Sequence, residues 1–143
     1  MDEDTGRRTA VLIVNGSEDA LALLAQILEG EGFRARGVRA WDLAHGRIDA
    51  RALLRELQPD VIVYDISVPF DLSWAFYASF RALPEVQGVP VVLTTTNRKG
   101  AESVIGRGVL ELLLKPYDIG QLVEQVRGAL RRHEREDGAR AVH

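Results

Sequence analysis

The stretch Val61-Ile62-Val63-Tyr64-Asp65, followed by Ile66-Ser67-Val68-Pro69, decides the fold of this chain. It is short, continuous and apolar, so it reads as a strand buried on both faces, and it ends in a carboxylate. On its N-terminal side, Ala50 to Leu57 places Leu53, Leu54 and Leu57 on one helical face, and Pro59 stops the helix. On its C-terminal side, Leu72 to Leu83 predicts a helix, and Val89 to Leu93 a strand that runs out into Thr94, Thr95 and Thr96. Farther out, Ala10 to Val14 is another buried strand, followed by the turn Asn15-Gly16-Ser17. Ser17 is suited to cap a helix, with Glu18 and Asp19 in the first turn where the helix dipole favours acids. Leu21, Leu24, Ile27 and Leu28 share a face of that helix, and Gly30 and Gly32 punctuate its end. Phe33 to Val38 reads as a weaker strand, and Trp41 to Arg47 as a connection without assigned form. Near the C-terminus, Ala101 to Arg107 is a short helix at most and Leu110 to Leu114 a strand. Ile119 to about Arg132 is a helix with Leu122, Val123, Val126 and Leu130 inward, and the tail from His133 is expected to fray.

Continuous apolar strands alternating with helices predict an α/β domain: a parallel sheet covered on both faces. The 143 residues suit one domain. The expected division is a polar extension over 1–8, the domain over 9–131 and a polar tail over 132–143. The hydrophobic fraction of 46% and charged fraction of 27% are those of a chain with a real core. The net charge of −3 and pI near 5.6 argue against a nucleic-acid partner. The absence of cysteine excludes disulfides, thiolate zinc sites and cysteine nucleophiles. Met1 to Arg8 is polar and acidic rather than a signal peptide, and no apolar run approaches a membrane span, so a cytoplasmic protein is expected.

In a doubly wound sheet, ligands bind outside the carboxyl ends of the strands. The residues there are Asn15, Gly16 and Ser17; Asp65, Ile66 and Ser67; Thr95 and Thr96; and Lys115 and Pro116. A carboxylate can act as a nucleophile toward phosphorus, while a lysine and a hydroxyl stabilise the anionic group transferred. Each residue alone has an ordinary structural reading: a strand-end cap, a strand end, a β-favouring threonine. The combination points to a phosphoryl site.

With those motifs in place, residues 9–131 resemble the receiver domain of two-component response regulators. Asp65 with Pro69 beyond it resembles the phosphoacceptor segment. Pro90-Val-Val-Leu-Thr-Thr95 resembles the fourth strand, with Thr95 at the switch hydroxyl. Gly108-Val-Leu-Glu-Leu-Leu-Leu-Lys115-Pro116-Tyr117 resembles the fifth strand with its lysine. The resemblance implies a flavodoxin-like sheet of five parallel strands in the order 2-1-3-4-5. It also implies Asp65 as phosphoacceptor, Thr95, Thr96 and Lys115 around the phosphoryl group, and a cis Lys115-Pro116 bond. Histidine kinases or other signalling proteins are the implied partners, with a second copy of the chain as a further possibility.

Four features depart from the family pattern. Asn15 and Gly16 stand where the family places two acids that help hold magnesium. Magnesium needs near-octahedral oxygen ligands and one or more carboxylates. Asp65 alone therefore implies weak or absent metal, with Glu18 as a conceivable substitute acid. Leu112 replaces the aromatic residue that turns over on activation. The link from Thr95 to Lys115 is short, and the link around Trp41 to Arg47 is long.

Three functions follow. The first is an atypical receiver acting through protein contacts, with little or no magnesium-dependent phosphorylation. The second is a conventional receiver phosphorylated on Asp65 by a histidine kinase. The third, of another class, is a flavin- or nucleotide-binding domain, which the acids in Asn15-Gly-Ser-Glu-Asp19 disfavour as a phosphate loop. No enzymatic activity is expected. Trp74, Phe76, Tyr77 and Phe80 crowd one helix and read as core first, partner surface second. Trp74 is expected near the loop after the Asp65 strand. His45, His133 and His143 match no metal spacing. The mixed charges from Arg131 to Asp137 suit a solvated helix end.

Overall fold

The computed structural model describes residues 8–95 and 118–134 in full, and the backbone of 111–114 and 135–142. Its sheet has five strands: β1 (Ala10–Asn15), β2 (Arg34–Arg39), β3 (Val61–Ile66), β4 (Val91–Thr95) and β5 (Glu111–Leu114). They are parallel and lie in the order β2-β1-β3-β4-β5, as the resemblance implied.

β1 and β3 are buried at every position. Side chains alternate between the two faces of a strand, so each strand feeds two cores. Val11, Ile13, Val61, Val63 and Val92 pack beneath α1 (Glu18–Gly30) and α5 (Ile119–Val142), against Leu24, Leu28, Leu122 and Val126. Leu12, Val14, Ile62, Tyr64 and Leu93 face α3 (Ala50–Leu57) and α4 (Phe70–Arg81), meeting Leu53, Leu54, Tyr77 and Phe80. Strands clad on both sides can be wholly apolar, which is why β1 and β3 are legible as unbroken runs.

The edge strand β2 is the opposite case: Val38 is its buried residue and the rest is half-covered or exposed. Its outward amide at Ala35 is met by the Glu29 carboxylate at 2.9 Å, which Arg8 also holds at 3.0 Å. That backbone hydrogen bond is the chief reason the Glu29 carboxyl lies below its ordinary value. A side-chain acceptor on an edge N–H blunts its tendency to pair with another chain.

The helix caps follow the sequence. The Ser17 hydroxyl accepts the Ala20 N–H at 3.2 Å, and the Asp49 carboxylate accepts that of Ala52 at 3.1 Å. α3 ends in left-handed Gln58, just before Pro59. Several boundaries differ from expectation. Trp41 to Arg47 holds a short helix, α2 (Ala40–Ala44). α4 starts at Phe70 rather than Leu72 and stops at Arg81 rather than Leu83. Leu83 is extended before Pro84, which opens a 3-10 turn, Pro84–Val86. β4 begins after Pro90, which lacks an N–H but lends its carbonyl to Ile62 at 3.0 Å. The backbone of α5 continues to Val142 instead of fraying from His133, over a stretch rich in the helix formers Glu, Arg and Ala. Among the described residues no helix is long and apolar enough to cross a membrane.

Candidate functional site

The carboxyl ends of β1, β3 and β4 lie side by side, and register decides what meets there. Asp65 pairs with Thr94, Ile66 with Thr95, and Asn15 with Arg39. Asp65 is 4% exposed, and its Oδ1 accepts the Thr94 hydroxyl at 2.6 Å. A hydrogen bond to a carboxylate is stronger than one between neutral groups, and in this buried site it fixes the carboxylate orientation. Thr94 escaped the sequence reading, which favoured Thr95 and Thr96. The parallel register that sets it beside Asp65 was the signal, and it is available once both strands are aligned. Thr95 is also buried, one residue on and therefore turned to the other face of the sheet.

Asn15 is buried at the end of β1, and its Oδ1 accepts the Ser17 N–H at 3.0 Å. This Asx turn shapes the path from strand to helix and uses the amide oxygen that a metal would need. Gly16 is exposed, adopts no positive φ, and a Cβ built on it would meet nothing within 4 Å. Glycine at this place is not a steric requirement. Glu18 is exposed at the start of α1 and faces Arg39 Nη1 at 3.5 Å. Ser67 is exposed, with its N–H donated to Ser73 Oγ at 3.1 Å.

The carboxyl ends of the strands carry Asn15, Gly16, Asp65, Ser67 and Thr95, and it is the Thr94 hydroxyl that donates to Asp65. Thr96, Lys115 and Pro116 lie outside the described residues, and with them the expected cis Lys115-Pro116 bond. The short helix sought over Ala101 to Arg107 and His143 are outside as well. The backbone of Leu112 lies in β5, in register with Leu93. The aromatic set on α4 divides: Tyr77 and Phe80 are core, whereas Trp74 and Phe76 are partly covered. Trp74 stacks on Phe70 at 6.2 Å, at the start of the helix that follows β3.

Magnesium, which the resemblance implies, asks for several oxygen ligands with compensating charge. Asp65 contributes one carboxylate. The Asn15 amide oxygen is neutral and already accepts the Ser17 N–H, Gly16 offers no side chain, and Glu18 is turned to Arg39. Among the described residues no group of three or more His, Asp or Glu side chains could hold a metal ion. This donor set does not fit magnesium.

The family model for the response regulator receiver domain matches residues 11–127. The DNA-binding response regulator MtrA of Mycolicibacterium smegmatis is 29% identical over 135 residues, 90% of this chain and 54% of its own length. The KDP operon transcriptional regulatory protein KdpE of Escherichia coli is 31% identical over 127 residues, 87% of this chain and 52% of its own length. The chain thus spans about half the length of these relatives. Among solved structures, a CheY-like receiver domain protein from Methanospirillum hungatei superposes with a TM-score of 0.71 at 21% identity. The match covers 90% of this chain and 98% of that one. NtrX from Brucella abortus gives a TM-score of 0.75 at 23% identity, over 95% of this chain and 30% of its own.

Proposed function

The chain belongs to the response regulator receiver domain family, and from that premise we propose that it is an atypical receiver. In this reading Asp65 keeps the phosphoacceptor place, magnesium-dependent phosphorylation is weak or absent, and signalling runs through protein contacts. The observation that carries the reading is the end of β1. Asn15 and Gly16 stand at the family's acid pair, so neither position supplies a carboxylate, and the neutral Asn15 amide oxygen accepts the Ser17 N–H.

Phosphoryl transfer to Asp65 forms a bond from carboxylate oxygen to phosphorus. It breaks the bond to the leaving group, a histidine nitrogen or the acetate of acetyl phosphate, which keeps the electron pair. Negative charge grows on the leaving group and stays on the phosphoryl oxygens. A metal at such a site contributes several kcal/mol, and each ~1.4 kcal/mol is a tenfold change in rate. Lys115, where the family has its lysine, and the Thr94 hydroxyl replace part of that charge stabilisation and no more. The partners that fit are a histidine kinase or another signalling protein, or a second copy of the chain. MtrA carries the description DNA-binding; the acidic balance of this chain favours protein partners for the domain itself. Family membership leaves the flavin- or nucleotide-binding alternative without support.

Incubation with acetyl phosphate and Mg²⁺, read by intact-mass spectrometry, tests the proposal. Labelling of the wild type should be slow and little changed by Mg²⁺. Fast, magnesium-dependent labelling that disappears in Asp65→Asn would establish the conventional receiver instead.

A further inference from the structure

A second feature sits on the same sheet edge but on the other face. The strand order places β1 between β2 and β3, so the chain leaves β1 in one direction and returns on the other side. The crevice at such a switch point is where open α/β sheets take ligands. Here it is a cleft of about 400 Å³ between α2 and α4, within the size range of small-molecule sites. Tyr64 forms its floor, Trp41 and Phe76 its walls, and Leu72 and Val68 its rim. Trp41 stacks on His45 at 3.7 Å, and His45 meets the edge of Phe76 at 5.8 Å, so the aromatic walls are braced against each other. The apolar groups at the mouth stay open to solvent: Trp41 is 53% exposed, Leu72 50% and Val68 80%.

One charge enters this apolar cleft. Arg39, at the end of β2, lines it. Its Nη1 reaches Glu18 at 3.5 Å, a long and exposed pairing. Its Nε is shielded from solvent and has no hydrogen-bond partner among the described residues. That atom is closed to a ligand; the outer guanidinium nitrogens are not, since the Arg39 side chain is 43% exposed. None of the described residues lining the cleft is acidic. Asp65 follows Tyr64 in β3 and therefore points to the opposite face.

We propose that this cleft binds a small planar organic anion, an aromatic carboxylate in chemical class. The ring packs against Trp41 and Phe76, and the carboxylate accepts from the outer nitrogens of the Arg39 guanidinium, whose side chain is 43% exposed. Guanidinium and carboxylate match as a planar fork, and aromatic walls favour a flat ring over a flexible chain. Glu18 competes for the same guanidinium from outside the cleft. The site does not rest on the phosphorylation reading, since it uses neither Asp65 nor a metal.

The test is a ¹H–¹⁵N NMR titration of the whole chain with 1-naphthoate, beside the neutral 1-naphthalenemethanol. Naphthoate should give saturable shifts at the amides of Gly16, Ser67 and Ser73 and at the Trp41 indole. The neutral probe should bind at least about tenfold more weakly, the factor one charge-assisted hydrogen bond supplies. Arg39→Gln should bring naphthoate down to the neutral probe's affinity and leave the neutral probe unchanged, whereas Glu18→Gln should tighten naphthoate. Equal binding of the two wild-type probes, no saturable shift around the cleft, or unchanged naphthoate affinity in a folded Arg39→Gln would each overturn the proposal. If Arg39→Gln does not fold, the comparison of charged and neutral probes on the wild type decides. Fast phosphorylation of Asp65 would sink the atypical-receiver reading and leave this result untouched.

Discussion

The two faces of one sheet edge treat their polar groups in opposite ways. On the Asp65 face, the carboxylate and the Thr94 hydroxyl satisfy each other at 2.6 Å, and Asn15 closes its own turn. On the Tyr64 face, aromatic rings line an open cleft and the Arg39 Nε has no partner among the described residues. Adjacent residues of β3 thus separate a niche furnished by the protein from an apolar cleft with an arginine at its edge. A family motif draws the eye to the first face. An arginine at the edge of an apolar cleft draws it to the second.

The largest expected effect comes from the core beneath the cleft. Tyr77 is 1% exposed and meets Tyr64 edge-on at 4.8 Å. Desolvation raises both phenols above their ordinary value, so both stay neutral. Tyr77→Ala should cost about 3–5 kcal/mol of stability in denaturant titrations. Tyr77→Phe keeps the ring and should cost far less. If the two cost the same, the cleft floor rests on the hydroxyl and not on packing.

On the other face, Thr94→Val keeps the shape and removes the donor to Asp65. Leaving a buried carboxylate short of that hydrogen bond should cost about 1–3 kcal/mol. Thr94→Ser, which keeps the hydroxyl, should recover most of it. A neutral Thr94→Val would mean that the contact orients Asp65 without stabilising the fold.

The fold was legible wherever burial on two faces forced an unbroken apolar run, as in β1 and β3. The strand order rests on the resemblance, not on any pattern in the runs themselves. Element ends were less legible, because Pro90 and Pro84 shift boundaries through missing donors and forced extension that periodicity does not register. α2 was not legible: five residues, Ala40–Ala44, with no buried side chain, leave no periodic trace. At the site, Asp65 and Asn15 were readable because each lies at the carboxyl end of a strand. Thr94 was not, because its role depends on register between strands distant in sequence. That the Arg39 Nε has no partner among the described residues could not be read at all, since this is a property of three-dimensional packing.

The smallest expected effect marks the far end of the sheet and should leave both faces unmoved. Arg51 and Arg55 reach Glu85 at 2.9 Å, tying α3 to the turn before β4. Desolvation pushes the Glu85 carboxyl up, and the arginine hydrogen bonds outweigh it, so the group lies below its ordinary 4.5. A depressed folded pKa contributes stability that is present above the unfolded value and lost as pH falls through the folded one. Glu85→Gln should therefore melt slightly lower than wild type near neutrality. The two melting temperatures should converge as acid is added below pH 4.5. A gap that persists in acid would assign the effect to packing.

The central claim is that the end of β1, not Asp65, sets the weak chemistry, and restoring the acids tests it most directly. Asn15→Asp with Gly16→Asp gathers three carboxylates at the edge, and because Gly16 has open space and no positive φ, a Gly16→Asn control should melt near wild type. Without metal the double variant should melt lower than the control, since like charges held close repel. A ligand that binds only the folded state stabilises it by RT ln(1 + [L]/Kd), about 2.7 kcal/mol at a hundredfold excess over Kd. Thermal melts of wild type, control and double variant, each with and without Mg²⁺, should show a magnesium-dependent rise in the double variant alone. A rise of the same size in the wild type, or none in the double variant, would contradict the account.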